Sequence, residues 1–448
     1  MNQERAADDL DPTARRIPYS EPMAGRPDEA SPSRFRRLFN TLGPGFITGA
    51  SDDDPSGIGT YASVGASLGF APLWTALASF PLMATIQYTC AKVGMVAGTG
   101  LGGVLRQHYP RWVLYSSVTI LIVANTINAG ADIGAIAAGI HLLIPVPVAA
   151  TIIPVTIAIL ALQIFGSYRL IARVFKWLTL ALFGYIGAAV FARPDVPAVL
   201  RGTFIPTLRF DQTYIMAMVA LLGTTISPYL FFWQASEEVE EEISEGRTSQ
   251  WSRRGATRTE LRRAGWDVGI GMLFSNVVMY FIILTTAATL HQEGLTNVQT
   301  ATEAAQALRP LAGRGTEALL ALGLIGSGFL AVPILTGSGA YAAAEAWGWR
   351  YGLDEKPKQA KPFYAVIIVA TLVGMMINFI GINVIQALYW TAILNGLLAP
   401  PLLVLITVVA NNAAVMGEQR VSRPIHIACW VAAGVMTLAA MALIATWL

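Results

Sequence analysis

The chain has 448 residues, 54% hydrophobic and only 13% charged, where soluble globular chains carry about 25% charged residues. A net charge of +2 is too small to argue for nucleic acid. The two cysteines, Cys90 and Cys429, both sit in apolar runs, and His108, His141, His291 and His426 stand near the ends of apolar blocks, which argues against a disulfide framework, a cysteine metal site or a histidine-built zinc site.

Residues 1–40 lack the apolar stretch of a signal peptide. They are polar and proline-containing and read as a disordered cytoplasmic segment, with Arg34, Arg36 and Arg37 just ahead of the first apolar block. From there to Leu448 the chain reads as one transmembrane domain (41–448). A span needs about 20 apolar residues, and eleven blocks qualify: 43–68, 72–98, 113–142, 148–166, 172–192, 213–241, 265–290, 317–346, 363–382, 384–410 and 425–447. The fold class expected is therefore an all-α polytopic membrane protein. Its connections alternate in charge. Basic residues gather in the N-terminal segment and the even connections, most densely in the sixth (Arg247, Arg253, Arg254, Arg258, Arg262, Arg263) and the eighth (Arg350, Lys356, Lys358, Lys361). The positive-inside rule then puts the N-terminus in the cytoplasm and the C-terminus outside.

The first block is interrupted by "SDDDPSGIG", Ser51 to Gly59, and the sixth by "TTISPYLFF", Thr224 to Phe232. Proline removes a backbone donor and drives the preceding residue out of helix, so both spans are predicted to be discontinuous. The two breaks lie five spans apart, an odd number, which makes the halves 43–192 and 213–410 inverted repeats, with 425–447 as an extra helix. Matched broken helices in inverted halves point to a transporter binding site. An ionised aspartate at mid-depth costs about 2.5–3.5 kcal/mol or more and persists only with a partner. No Lys or Arg lies at mid-depth in either block, so the positive charge is expected from the substrate. A carboxylate beside freed carbonyls is an oxygen cage for a hard cation.

Asp54, abutting Pro55, is read as the principal ligand, with Gly57 beside it. Thr224, whose carbonyl the second proline would free, and Ser227 face it. Asp52 and Asp53 are read as lining a watery access path, with direct ligation of the ion as the alternative. Thr225 and Ser227 also have a plain alternative, as hydroxyls bonding their own helix backbone. The acidic run 236–245 at the inner end of the sixth span reads as a solvated helix end, with Glu237, two turns past Tyr229, as the residue placed to line an exit.

These segments, together with "ILTGSGAYAAAEAW" in the eighth span and "AILNGLLAPPLL" in the tenth, resemble the Nramp family of divalent-metal transporters from about residue 40 onward. The resemblance implies a LeuT-like inverted repeat of five plus five helices with an eleventh, and metal ligands at Asp54 and the position of Gly57. The departures are specific. Gly57 stands where the family has Asn, Ser227 where it has Met, Tyr229 where it has His, and Ala135 where a third-span Glu would be. Asp132 is kept nearby, as a residual ion or proton site or as a carboxylate bonded to a neighbouring helix. The pattern is similar to the Nramp-related magnesium transporter branch. It implies Mg²⁺ or Mn²⁺ as substrate, weak or absent proton coupling, and residence in a bacterial inner membrane. No resident cofactor and no obligatory protein partner is implied; the expected partners are the ion and the lipid bilayer. The alternatives are an amine or amino-acid-like solute on the same fold, and a non-transporting metal-sensing module, which would be expected to carry a soluble output domain. The spans contain no paired-histidine motif or nucleophile constellation, so an enzyme is not expected.

Overall fold

A computed structural model describes residues 43–166 and 183–448, apart from 299, 308, 310–312, 354 and 448. The expected N-terminal segment and most of the fifth span, 172–192, lie outside the described residues. The described chain is all helical. The first span is two helices, α1 (Pro44–Asp52) and α2 (Pro55–Leu68), separated at Asp53 and Asp54. Then come α3 (Trp74–Ala97), the short α4 (Leu101–His108), α5 (Arg111–Leu143), α6 (Val148–Phe165), α7 (Gly184–Phe191) and α8 (Val196–Phe204). The sixth span is also two helices, α9 (Gln212–Thr225) and α10 (Pro228–Ser244). The one-turn α11 (Gln250–Arg253) leads to α12 (Arg258–Thr286), which runs on through a π turn at Ala287–His291. After α13 (Ala301–Gln306) come α14 (Thr316–Trp347), α15 (Lys361–Ile377), α16 (Val384–Asn411), α17 (Ala413–Met416) and α18 (Arg423–Trp447).

Both predicted discontinuities are present, each with proline at the first position of the new helix, where its missing N–H costs nothing. Among the described residues seven helical stretches are long and apolar enough to cross a membrane by length and composition: α5, α6, α9 with α10, α12 with its π turn, α14, α16 and α18. The remaining expected spans fall short for local reasons. The first is cut into pieces of 9 and 14 residues, and the ninth, α15, has 17. α3 has 24 residues but carries Thr75, Ser79, Gln87, Thr89 and Lys92.

Close packing is bought with small residues. α1 crosses α12 where Gly45 and Gly49 meet Gly271: a Cβ added to Gly49 would stand 2.2 Å from the Gly271 carbonyl. Small residues four apart let helix backbones touch in a membrane, where apolar burial alone drives nothing together. α12 continues along α2, while α9 packs on α2 and α10 on α1. The two broken spans are thus side by side, with α12 and the long α5 closing the group.

Candidate metal site

Each proline leaves one carbonyl without its helical partner, the one four residues back. For Pro55 that is Ser51. Its carbonyl accepts instead from the Tyr229 hydroxyl of the sixth span, at 3.0 Å. For Pro228 it is Thr224. That carbonyl accepts from Ser227 Oγ at 2.7 Å, which also reaches Gly223 at 3.0 Å. The Thr224 carbonyl is therefore not wholly freed by the break; one of its two lone pairs is occupied. Thr225 likewise donates to its own helix, to Leu221 at 2.9 Å. The Tyr229 carbonyl accepts from Ser338 of α14 at 2.7 Å, so the tyrosine links three spans.

Asp54 is the N-cap of α2. Its Oδ1 accepts from the Gly57 N–H at 2.6 Å, which gives the residue a structural purpose as well. Its Oδ2 accepts from Asn128 Nδ2 on α5 at 3.1 Å. Gly57 faces the sixth span directly. A Cβ there would lie 3.2 Å from Thr224 Oγ1, 3.3 Å from the Tyr61 ring and 3.4 Å from the Asp52 carbonyl. Asp54, Gly57 and Thr224 are thus brought together at the break, with Ser227 one turn on from Thr224.

Asp52 and Asp53 do not line a watery path. Both are fully buried and share the Ser275 hydroxyl of α12, at 2.6 and 3.2 Å. Asp52 Oδ1 and Asp53 Oδ2 have no hydrogen-bond partner. Asp132 is buried on α5, beside the Ser56 backbone and the Asp54 carboxylate, and neither of its oxygens closes a hydrogen bond of ordinary geometry. Four carboxylates are therefore gathered at the breaks. Among the described residues none of the four takes part in a salt bridge, so no Lys or Arg neutralises them.

The sequence reading missed Asn128 and Ser275. Asn128 had a signal: it stands four residues before Asp132, on the same face of an otherwise apolar span. Ser275 had none, since a lone serine in a membrane helix is commonplace. Asp267 was also passed over. It caps α1, accepting from the Gly43 and Gly45 N–H groups at 2.9 and 2.7 Å, and so serves amides that the helix start leaves unpaired. The acidic run is solvated only at its far end, where Ser244 and Glu245 are exposed. Glu237, Glu238 and Glu242 are buried. Gln234 donates to Glu238 at 2.9 Å, and Arg247 pairs with Glu242 at 3.2 Å.

Among the described residues no three His, Cys, Asp or Glu side chains are disposed to hold one metal ion. What the breaks present is buried carboxylates with hydroxyls and carbonyls, an all-oxygen set suited to a hard, partly hydrated cation.

Two halves that each open on a broken helix define a LeuT-like membrane transporter fold, and the chain superposes on Mhp1, a nucleobase-cation-symport-1 family transporter in a closed conformation, with a TM-score of 0.58 at 12% identity over 91% of this chain and 92% of that one. More narrowly, the model of the Nramp, natural resistance-associated macrophage protein-like, family matches residues 45–446, and the chain belongs to that family. It is an integral membrane protein. A divalent metal cation transporter MntH of Klebsiella pneumoniae (strain 342) is 26% identical over 412 residues, 90% of this chain and 94% of the relative. The manganese transporter of Eremococcus coleocola has the same fold, with a TM-score of 0.71 at 19% identity over 94% of this chain and 89% of that structure.

Proposed function

We propose that the chain is a secondary transporter of divalent metal cations that works by alternating access and carries the ion between its two helix breaks. The observation that carries this reading is the group of four buried carboxylates at those breaks with no basic side chain to balance them. Buried charge without a partner is strongly unfavourable; a cationic cargo supplies the partner, and only while it is bound. Asp54 provides the charge that offsets dehydration, and Asn128 holds its second oxygen. Gly57, Thr224 and Ser227 supply the surrounding oxygens. The relatives named above as divalent metal and manganese transporters support the same class of substrate.

The finer reading is Mg²⁺ or Mn²⁺, without strong proton coupling. Ser227 offers no sulfur, so nothing at that position favours a softer transition metal. Tyr229, where the family has His, is held by hydrogen bonds with Ser51 and Ser338. The membrane potential suffices as a driving force: two charges crossing 100 mV release about 4.6 kcal/mol, roughly a thousandfold accumulation. We place the protein in a plasma or bacterial inner membrane, N-terminus inside.

Proteoliposomes loaded with a pH dye and offered Mg²⁺, Mn²⁺ and Ca²⁺ test this. Uptake of Mg²⁺ or Mn²⁺ without matching acidification is expected. Asp54→Ala, and Asp54→Asn, which keeps a capping oxygen but loses the charge, are both expected to abolish it. Uptake of an amine with no metal transport would overturn the reading.

A further inference from the structure

On the rim of the bundle, away from the helix breaks, α5 and α15 meet backbone to backbone. A Cβ on Gly130 would stand 2.5 Å from the Gly374 carbonyl, and Asn378 Nδ2 donates to the Gly130 carbonyl at 2.8 Å. Along α15, from Pro362 to Ile377, and the N-terminal half of α5 runs an apolar groove of about 600 Å³, lined by Ile122, Thr126, Trp349, Val366, Val369 and Val373. Val369 and Val373 are 59% and 48% exposed. The groove is open and its lining is almost wholly apolar, the chemistry of an acyl chain.

Its mouth has a different character. Trp347 stacks on Trp349 at 5.3 Å and contacts Tyr115 at 5.3 Å. Aromatic rings of this kind collect at the level of lipid headgroups. In the connection that leads from Trp349 to Pro362, both of which line the groove, Lys356, Lys358 and Lys361 are exposed, the last directly before Pro362. None of the three has an ion-pair partner among the described residues, whereas nearby Arg350 is held by Glu355 at 2.9 Å. The loop-charge reading puts this mouth on the cytoplasmic side.

We propose that this groove binds an anionic phospholipid of the cytoplasmic leaflet, with one acyl chain between α5 and α15 and its phosphate against Lys356, Lys358 and Lys361. The lysines select the occupant. A second copy of the chain docking across a two-fold axis would bring the same three lysines against themselves. A zwitterionic lipid leaves their charge unmatched, while an anionic headgroup gains from each lysine at the surface.

Full-length protein in detergent, titrated with dioleoylphosphatidylglycerol or dioleoylphosphatidylcholine and followed by native mass spectrometry, decides the matter. The phosphatidylglycerol is expected to bind at least about tenfold more tightly. Replacing the three lysines together (Lys356→Ala, Lys358→Ala, Lys361→Ala) is expected to remove that preference. Val369→Trp, which fills the groove from its exposed side, is expected to weaken both lipids about tenfold with the lipid-free melting temperature unchanged. Val373→Trp takes its place if that variant is not monodisperse. Equal affinity for the two lipids, a preference that survives the triple substitution, or undiminished binding to a folded tryptophan variant would each overturn the proposal.

Discussion

Asn128 spends its amide nitrogen on Asp54 Oδ2, and buried hydrogen bonds to a charged group are worth about 1.5–3 kcal/mol. Removing the residues that orient a metal ligand typically costs 10–100-fold in affinity. Asn128→Ala is therefore expected to weaken Mn²⁺ binding by about that factor in titration calorimetry, while the protein remains monodisperse; an unchanged affinity would mean that the ion does not lean on Asp54. Ser227 makes a different kind of test. Its hydroxyl caps two carbonyls of its own helix, so Ser227→Met both removes those bonds and adds a soft donor. The Mn²⁺-to-Mg²⁺ affinity ratio is expected to rise about tenfold, with a melting temperature lowered by the loss of the caps. A constant ratio in the folded variant would place the cargo away from the second break. Gly57→Asn is a harsher change than sequence spacing implied, because Thr224 and Tyr61 already crowd that side. At this scale the sequence disclosed the charges but not their partners. Asp54 announced itself next to a proline, and Asp132 as a carboxylate in an apolar run. Ser275, which reaches both Asp52 and Asp53 from more than two hundred residues away in the chain, carries no local mark of that duty.

Helices were legible wherever their cause is local. Pro55 and Pro228 fix both breaks because a missing N–H acts on its own span. The crossing of α1 and α12 is less visible: Gly45 and Gly49 have the right spacing, but α12 carries three glycines, and the pair with that same spacing is Gly265 and Gly269 rather than Gly271. Gly49→Leu is expected to destabilise the protein by about 1–3 kcal/mol, since its side chain must displace backbone rather than a flexible neighbour. Gly269→Leu, two residues from Gly271 on α12 and with nothing within 4 Å of its Cβ, is expected to leave the melting temperature nearly unchanged. Equal losses in the two variants would show that glycine content, not the crossing, sets the cost. The acidic stretch of α10 misled for the opposite reason. Its composition is that of a solvated helix end, yet α10 lies inside the bundle and takes Glu237, Glu238 and Glu242 with it.

Over the whole molecule, the odd number of spans between the breaks is what inverts the halves, and the basic connections set which way the pair faces. Single cysteines test that arrangement: Glu293→Cys is expected to react with an impermeant maleimide added outside intact cells, and Glu418→Cys only after the membrane is opened. The reverse pattern would turn the molecule over. The hydrogen bonds at the two prolines add a dimension that neither spacing nor charge contains, which is time. Thr224 is served by Ser227, made three residues later. Ser51 waits for Tyr229, 178 residues downstream; at about 5–20 residues per second that is on the order of 10–35 s of synthesis. Asn128 reaches Asp54 earlier, Ser275 reaches Asp52 and Asp53 later still. The newborn first span thus carries three aspartates and a bare Ser51 carbonyl through an interval in which, of these partners, only Asn128 is made. The carbonyl freed at the second break has its partner almost at once, whereas the one freed at the first is served only when the second half of the chain arrives beside it.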